Sequence, residues 1–191
     1  MDNPVYALGH ADEELARLIV QSHFVEPITR RFFQEAGVRA GMRVLDRGMP
    51  AVRVGGDLGV AGTKGFVGGF LESHLPDFGE PLLREVYAET GREVDALARG
   101  LEAIAETAHR VVLLHYAPTS STLVGEREAI WTLLGSERLA GPIVRHNPDL
   151  VLHGHAHAGS PAGHVGAVPV FNVAWPLIGG AFHVFDLASA A

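Results

Sequence analysis

Residues 110–118 read Arg-Val-Val-Leu-Leu-His-Tyr-Ala-Pro, a short apolar run that ends in a histidine and a proline-containing loop. Residues 149–157 follow the same plan and read Asp-Leu-Val-Leu-His-Gly-His-Ala-His. Short apolar runs bounded by such loops are typical of buried strands. Helical patterns separate these runs, and strands that alternate with helices favour a layered α/β fold, in which a sheet is flanked by helices.

The remaining elements follow from hydrophobic spacing and from turn residues. Apolar residues at helical intervals predict helices over about 12–23, 27–37, 80–108, 126–134 and 136–145. Gly91 predicts a break in the longest helix, because an interior glycine costs about 1 kcal/mol relative to alanine. Short apolar runs predict further strands at about 42–46, 51–54, 58–61, 168–174 and 181–187. Gly55 and Gly56 predict a hairpin turn, and the late strands are expected to pair locally.

Composition excludes several classes of function. The length of 191 residues fits one domain, or one domain with an extension. A net charge of −7 provides no basic field that would hold nucleic acid through counterion release. The chain has no cysteine, so disulfides and thiolate chemistry are excluded and any metal must be bound by His, Asp, Glu or Asn. The 11 histidines are many for this length, and histidine is the commonest metal ligand.

Targeting signals are not evident in the sequence. Prolines and glycines interrupt the most apolar stretch, 165–185, so no membrane span is predicted. The N-terminus has no basic start followed by an apolar block, which is the pattern of a secretory signal. We therefore expect a cytoplasmic protein that does not associate with membranes.

Histidines follow the two runs quoted above at the points where the predicted strands end. His155 and His157 flank a single alanine directly after Gly154, and His115 ends the other run. Ligands collect at the carboxyl ends of strands in open α/β sheets, so these three imidazoles could converge on one metal site. The alternative is that the His-x-His pair simply lies in a solvated loop. We expect His153 and Asn172, together with Gly154, to lie beside the site as pocket-lining residues rather than as ligands.

The stretch from about 51 to 187 resembles the C-terminal half of a calcineurin-like metallophosphoesterase. The matching pieces, in order, are Val-Ala-Gly-Thr-Lys-Gly-Phe at 60–66, Leu-His-Tyr-Ala-Pro at 114–118, His-Gly-His-Ala-His-Ala-Gly at 153–159 and Val-Pro-Val-Phe-Asn-Val-Ala at 168–174. The resemblance implies hydrolysis of a small-molecule phosphoester by a metal-activated hydroxide. It also implies two divalent ions of Mn, Fe or Zn, with His115 and His155 on one ion and His157 on the other.

Part of the family's ligand set is absent. Members also carry, upstream, an Asp-x-His pair, a Gly-Asp whose carboxylate bridges the metals, and a Gly-Asn-His, and this chain has none of them at the expected place. Gly56-Asp57 imitates the Gly-Asp but stands in the predicted hairpin, out of order. The catalytic residues therefore stay unassigned. A non-catalytic remnant, a module that binds one metal, or a subunit completed by another chain are the alternatives, and loss of strands would expose a sheet edge for a partner or for self-association.

The front of the chain resembles a different family. Residues 6–46, with Tyr-Ala-Leu-Gly-His at 6–10 and Met-Arg-Val-Leu-Asp at 42–46, are similar to the start of a class I S-adenosylmethionine-dependent methyltransferase. Arg-Gly-Met-Pro follows Asp46 in place of the family's glycine-rich turn, so we expect neither cofactor binding nor methyltransferase activity. We predict a fusion joined near 44–47, with a helical extension and strand at 1–46 and a phosphoesterase domain without its N-terminal half at 47–191.

Lys64 stands in the glycine-rich segment Gly-Thr-Lys-Gly at 62–65. This segment invites comparison with a phosphate-binding loop, but it lacks the spacing of the Walker motif. A structural turn is the simpler interpretation.

Overall fold

The computed structural model describes residues 51–54, 57–71, 73–179 and 183–187, and seven residues among the first 50. Those seven residues (19, 20, 23, 26, 27, 30 and 31) are helical, and Arg30 pairs with Glu26 one turn away at 2.6 Å. The predicted strand at 42–46 lies outside the described residues, as do most positions of the two predicted N-terminal helices. Contacts divide the chain into one unit of residues 1–44 and a second unit of residues 45–191.

The described strands of the second unit are β1 (Ala51–Val54), β2 (Leu58–Thr63), β3 (Gly69–Phe70), β4 (Ser73–His74), β5 (His109–Leu114), β6 (Leu150–His153), β7 (Ala162–Val165) and β8 (Val168–Asn172). Six of these strands form a mixed sheet. Strands β2, β5, β6 and β8 are parallel neighbours in that order, while β1 and β7 pair antiparallel at the two edges. The predicted hairpin of β1 and β2 is confirmed, and β3 and β4 form a small separate hairpin.

The helices of the second unit are α1 (Pro81–Ala103), α2 (Trp131–Leu134), α3 (Ala140–His146) and α4 (Trp175–Ile178). Short 3₁₀ turns at Glu128–Ile130 and Glu137–Leu139 lead into α2 and α3, so the helices predicted at 126–134 and 136–145 are confirmed in position. The predicted break at Gly91 is wrong, because α1 runs through it without interruption. In the part of the chain that the structure describes, every helix is too short or too polar to cross a membrane.

Helix α1 ends at Ala103, five residues before the predicted end at 108. The Thr107 hydroxyl donates to the carbonyls of Ile104 and His109, at 2.8 and 3.0 Å, and these bonds fix a turn where the helical pattern would otherwise continue. The continuity of α1 at Gly91 has a packing cause, since Leu97 and Leu101 of the same helix are fully buried against the sheet. Such burial stabilises by about 1.5 to 3 kcal/mol for each side chain, which exceeds the cost of one glycine.

The core lies between α1 and one face of the sheet. Ala61, Val112, Val151 and Val170 stand in register on β2, β5, β6 and β8, and none of the four is exposed. Leu97, Leu101, Leu139 and Ile143 cover this row from the helical side. The predicted layered α/β fold with a sheet flanked by helices is therefore confirmed.

The last predicted strand is wrong. Residues 183–187 have no regular structure, and the partner of β8 is instead β7, which the sequence analysis missed. Strand β8 already has β6 on its other side, so both of its edges are occupied. A two-residue turn joins β7 to β8, and Gly166 adopts a φ of +58° there, a conformation that glycine takes without strain.

Candidate metal centre

The carboxyl ends of four parallel strands meet at one edge of the sheet. This edge carries Lys64 after β2, His115 after β5, the 154–157 segment after β6 and Val173 after β8. Backbone hydrogen bonds join the connections: the His115 and Tyr116 N–H groups donate to the Lys64 carbonyl, and the Gly154 N–H donates to the His115 carbonyl. The histidines predicted from the sequence thus directly follow neighbouring strands of the sheet.

His115 and His155 lie against each other at this edge. Their ring centroids are 4.7 Å apart with the ring planes tilted by 51°, and both side chains are half-buried. With metal–nitrogen bonds of about 2.1 Å, two imidazoles on one ion have centroids about 5 Å apart. The pair is therefore spaced as two ligands of a single ion would be. The ring of Tyr116 lies on His155 at a centroid distance of 4.5 Å, so the imidazole also has an aromatic neighbour.

His155 occupies a strained backbone conformation. Its φ is +70°, and the Ala156 N–H donates across it to the Gly154 carbonyl at 2.8 Å, which closes a three-residue turn. A turn of this kind with positive φ at the centre is rare for a residue with a side chain, and such strain costs about 1 to 3 kcal/mol. Strained residues concentrate at functional sites. A Cβ at Gly154 would lie 4.0 Å from His115 Nδ1, an ordinary van der Waals distance, so Gly154 lies directly beside that ring.

His153 is fully buried and hydrogen-bonds to the turn formed by residues 154–156. Its Nδ1 lies 2.8 Å from the Gly154 carbonyl and its Nε2 lies 2.8 Å from the Thr122 hydroxyl. Because the carbonyl can only accept, Nδ1 carries the proton in the neutral ring. Nε2 then accepts from the Thr122 hydroxyl, which is nearer to Nε2 than to the Thr119 carbonyl at 3.2 Å. Burial lowers the pKa of His153 to about 4, with the nearby His115 and His155 acting in the same direction. His153 is thus neutral near pH 7, with both ring nitrogens occupied.

Asn172 supports the same turn from the neighbouring strand. It stands opposite His153 in the register of β6 and β8 and is 1% exposed. Its Nδ2 donates to the Ala156 carbonyl at 2.7 Å, and its Oδ1 accepts from the Ala174 N–H at 3.1 Å. His153 and Asn172 are therefore buried supports of the turn, while Gly154 is half-buried beside the histidine pair.

His157 and Asp57 lie apart from the pair. The side chain of His157 is exposed, in contrast to those of His115 and His155. Across the described residues, no set of three or more His, Asp or Glu side chains is grouped closely enough to hold a metal ion. Asp57 precedes β2 and its carbonyl accepts from the His109 N–H, so it lies at the opposite end of the strands. The Nε2 of His155 lies 3.3 Å from the Leu133 carbonyl, which leaves the Nδ1 of that ring as its nitrogen for an ion. The described residues bring two imidazoles together here, and they do not fit a carboxylate-bridged pair of ions.

Sequence reasoning missed the residues that shape the rest of this edge. Glu93 of α1 accepts from the Gly65 N–H at 2.9 Å and from the Thr63 hydroxyl, which fixes the segment after β2. Burial raises the pKa of the Tyr116 hydroxyl, and the carboxylate of Glu93 raises it further. Thr122 comes from a 3₁₀ turn that is distant in sequence. Tyr116 could have been found from its place next to His115, but no spacing rule points to Glu93 or Thr122.

Comparison of the chain with protein-family models, with curated proteins and with solved structures found no match.

Proposed function

We propose that this protein is a metal-dependent phosphoester hydrolase of the calcineurin-like type, and that its metal site keeps only the downstream histidines of the family's ligand set. The observation that carries the proposal is the contact between His115 and His155 at the carboxyl edge of the parallel strands. These are the two histidines that the resemblance assigns to one and the same ion. The left-handed conformation of His155 adds support, because strain of this kind is retained where a side chain must be aimed.

Each residue of the site has a defined task in this proposal. His115 and His155 hold the ion through neutral imidazole nitrogens, which suit Mn, Fe or Zn. A divalent ion supplies Lewis acidity toward the phosphoester and toward water. His153 and Asn172 keep the turn closed so that the His155 ring stays beside His115. The His155 ring has an outer-shell partner of its own in the Leu133 carbonyl, 3.3 Å from Nε2, and such partners of a ligand ring typically contribute about 10- to 100-fold to metal affinity.

A module that binds one metal without catalysis is the second candidate. The observation that favours it is the exposure of His157, which leaves two half-buried imidazoles and no carboxylate at the pair. A chain that supplies the missing ligands would make the protein a subunit of a larger enzyme. Strand β1 is at the edge of the six-stranded sheet and pairs only with β2 within the described residues, so its outer edge is where such a chain could add a strand.

Metal content and hydrolysis should be measured together. The chain is saturated with Mn²⁺ or Zn²⁺ and dialysed, and the ion content and the hydrolysis of an aryl phosphate are determined for wild type, His115→Ala and His155→Ala. The matched control is His109→Ala, at the opposite end of the strand that precedes His115. We expect one bound ion, with affinity reduced at least about 10-fold in either site variant and unchanged in the control.

The outcomes separate the two candidates. Hydrolysis that requires the metal and disappears in both site variants supports the enzyme. One bound ion without hydrolysis supports the binding module. Metal binding that is equal in wild type and His155→Ala contradicts both.

A further inference from the structure

We propose that the small hairpin of β3 and β4 controls the position of the His155 ring, acting through helix α2 as a conformational device. The hairpin segment consists of residues 68–71, 73 and 74. Both this segment and His155 form hydrogen bonds to the C-terminal end of α2, so α2 links them. The coupling requires neither a metal nor a substrate, and it holds whether or not the proposed function is correct.

Four consecutive carbonyls at the C-terminal end of α2, those of residues 132–135, accept hydrogen bonds from other segments. Carbonyls at this end of a helix have no partner within the helix. The hairpin segment supplies the outer two donors and the histidine site supplies the inner two. Gly68 N–H donates to Thr132, His155 Nε2 to Leu133, Ala117 N–H to Leu134 and Gly69 N–H to Gly135, at 3.0 to 3.3 Å. Because the donors interleave along so short a stretch, a displacement of the hairpin segment also displaces the acceptor of His155.

The hydrogen bond to Leu133 fixes the orientation of the His155 ring. A carbonyl only accepts, so Nε2 of His155 carries the proton and donates it to Leu133. The backbone of His155 has a φ of +70°, and such a conformation persists only where the surroundings hold it in place. The Leu133 carbonyl is one of those surroundings and lies 22 residues away in sequence. Loss of this bond therefore frees the ring.

A small apolar cluster packs the hairpin segment against the same elements. Phe70 of β3 is 3% exposed and anchors the segment in this cluster. The buried members are Phe70, Ala117, Leu123, Leu134 and Ala156. Leu134 belongs to α2 and Ala156 directly follows His155, so one cluster joins the hairpin, the helix and the histidine turn. It is separate from the core between α1 and the sheet, so the hairpin can open while that core stays intact.

The hairpin is built to open at a low free energy. Strands β3 and β4 have only two residues each, and Leu71 after β3 has a φ of +55° while its side chain is 65% exposed. Glu137 holds this strained tip: one carboxylate oxygen accepts from the Leu71 N–H at 3.0 Å, and the other lies 3.4 Å from His74 Nε2. Segments with short ladders and exposed hydrogen bonds open before the core does. Phe70 and Glu137 are thus positioning residues that act on His155 through α2.

The chemical reactivity of the His155 ring measures the coupling in the metal-free, full-length chain. Diethyl pyrocarbonate acylates imidazole chiefly at the less hindered Nε2, so His155 is labelled when its bond to the Leu133 carbonyl is open. Exposed His157 lies two residues away in the same peptide and serves as the internal reference. The ratio of the His155 rate to the His157 rate, determined by tandem mass spectrometry at one pH, reports the local state of the His155 ring.

Glu137→Ala removes both contacts that hold the tip of the hairpin. We expect it to raise the labelling ratio about 2- to 10-fold, the range over which one ordinary hydrogen bond shifts an equilibrium. The matched control is Glu128→Ala, which removes a carboxylate from an exposed position in the 3₁₀ turn before α2 and should leave the ratio unchanged. Equal ratios in wild type and Glu137→Ala, or equal increases in the two variants, overturn the role of Glu137.

Phe70→Ala removes the anchor itself and should raise the labelling ratio at least as much as Glu137→Ala. Its control is Leu101→Ala, which deletes a buried side chain from the other core, between α1 and the sheet, and destabilises the chain without touching the hairpin's cluster. A similar rise in Phe70→Ala and Leu101→Ala shows general loosening and overturns the coupling. If Phe70→Ala does not fold, Glu137→Ala decides alone, since it alters a half-exposed side chain. A chain that binds no metal but shows these changes in labelling refutes only the proposed function.

Discussion

The buried neutral His153 makes the stability of the metal-free chain dependent on pH. A histidine in the unfolded chain titrates near pH 6.5, whereas burial lowers the pKa of His153 to about 4 in the folded chain. The unfolded state therefore binds a proton first as the pH falls. The contribution of neutral His153 to the free energy of unfolding is complete above about pH 6.5 and is lost as the pH decreases toward 4.

The magnitude follows from the difference between the two pKa values. Each unit corresponds to about 1.4 kcal/mol, so the full loss is about 3 kcal/mol and the loss between pH 7 and pH 5 is about 2 kcal/mol. This is a large fraction of the roughly 5 to 15 kcal/mol by which a domain is stable. The Thr122 hydroxyl can turn its proton to the Thr119 carbonyl, 3.2 Å away, and accept from a protonated Nε2, so the loss comes from burial of the charged ring and not from a broken hydrogen bond.

Urea denaturation at pH 7 and pH 5, in the presence of a chelator, measures the effect. Other groups titrate in the same range, so the informative quantity is the difference between wild type and His153→Gln. Glutamine is uncharged at both pH values and can still donate and accept a hydrogen bond. Exposed His164 supplies the control variant His164→Gln, which should keep the pH dependence of wild type. If His153→Gln loses as much stability between pH 7 and pH 5 as wild type, the reasoning is refuted.

Two further pairs of variants test the supports of the site. Thr122→Val should lower the free energy of unfolding by about 1 to 3 kcal/mol and also weaken metal binding, because it leaves the buried nitrogen of His153 without a donor. Thr107→Val removes hydrogen bonds to backbone carbonyls at the other end of β5, so it should reduce stability alone, and equal metal affinities in the two variants would contradict the role of Thr122. Gly125→Ala should destabilise by more than about 1 kcal/mol in thermal unfolding, since φ is +113° and a methyl group would overlap the Ala158 carbonyl. Gly141→Ala, in α3 with open space around it, should be neutral or stabilising by up to about 1 kcal/mol, and a Gly125→Ala variant as stable as wild type would show that the Gly125 conformation is not required.

Local sequence patterns were sufficient to predict the positions of most strands of the sheet. The runs at 110–115 and 149–152 correspond to β5 and β6, and the hairpin predicted from Gly55 and Gly56 corresponds to the antiparallel pair β1 and β2. Such strands can be recognised in the sequence because a strand buried on both faces needs a continuous apolar stretch. The pattern failed at the strand that pairs with β8. The sequence predicted a strand at 181–187, whereas β7 pairs with β8 and residues 183–187 have no regular structure. Pairing is decided by which segment reaches the edge through the shorter turn, and composition does not encode this choice.

The sequence by itself determined which chemistry is open to this protein. Without cysteine, any metal ligand had to be His, Asp, Glu or Asn, and the ordered motifs named His115, His155 and His157 as candidates. Only the tertiary structure decided that His115 and His155 meet, that His157 is exposed, and that His153 is a buried support. The physical reason is that the periodicity of a strand fixes the face of the sheet on which each side chain lies, but it does not extend to the loops that follow. The direction of a loop residue depends on backbone strain and on hydrogen bonds from distant segments, as with the positive φ of His155 and the contact with Thr122.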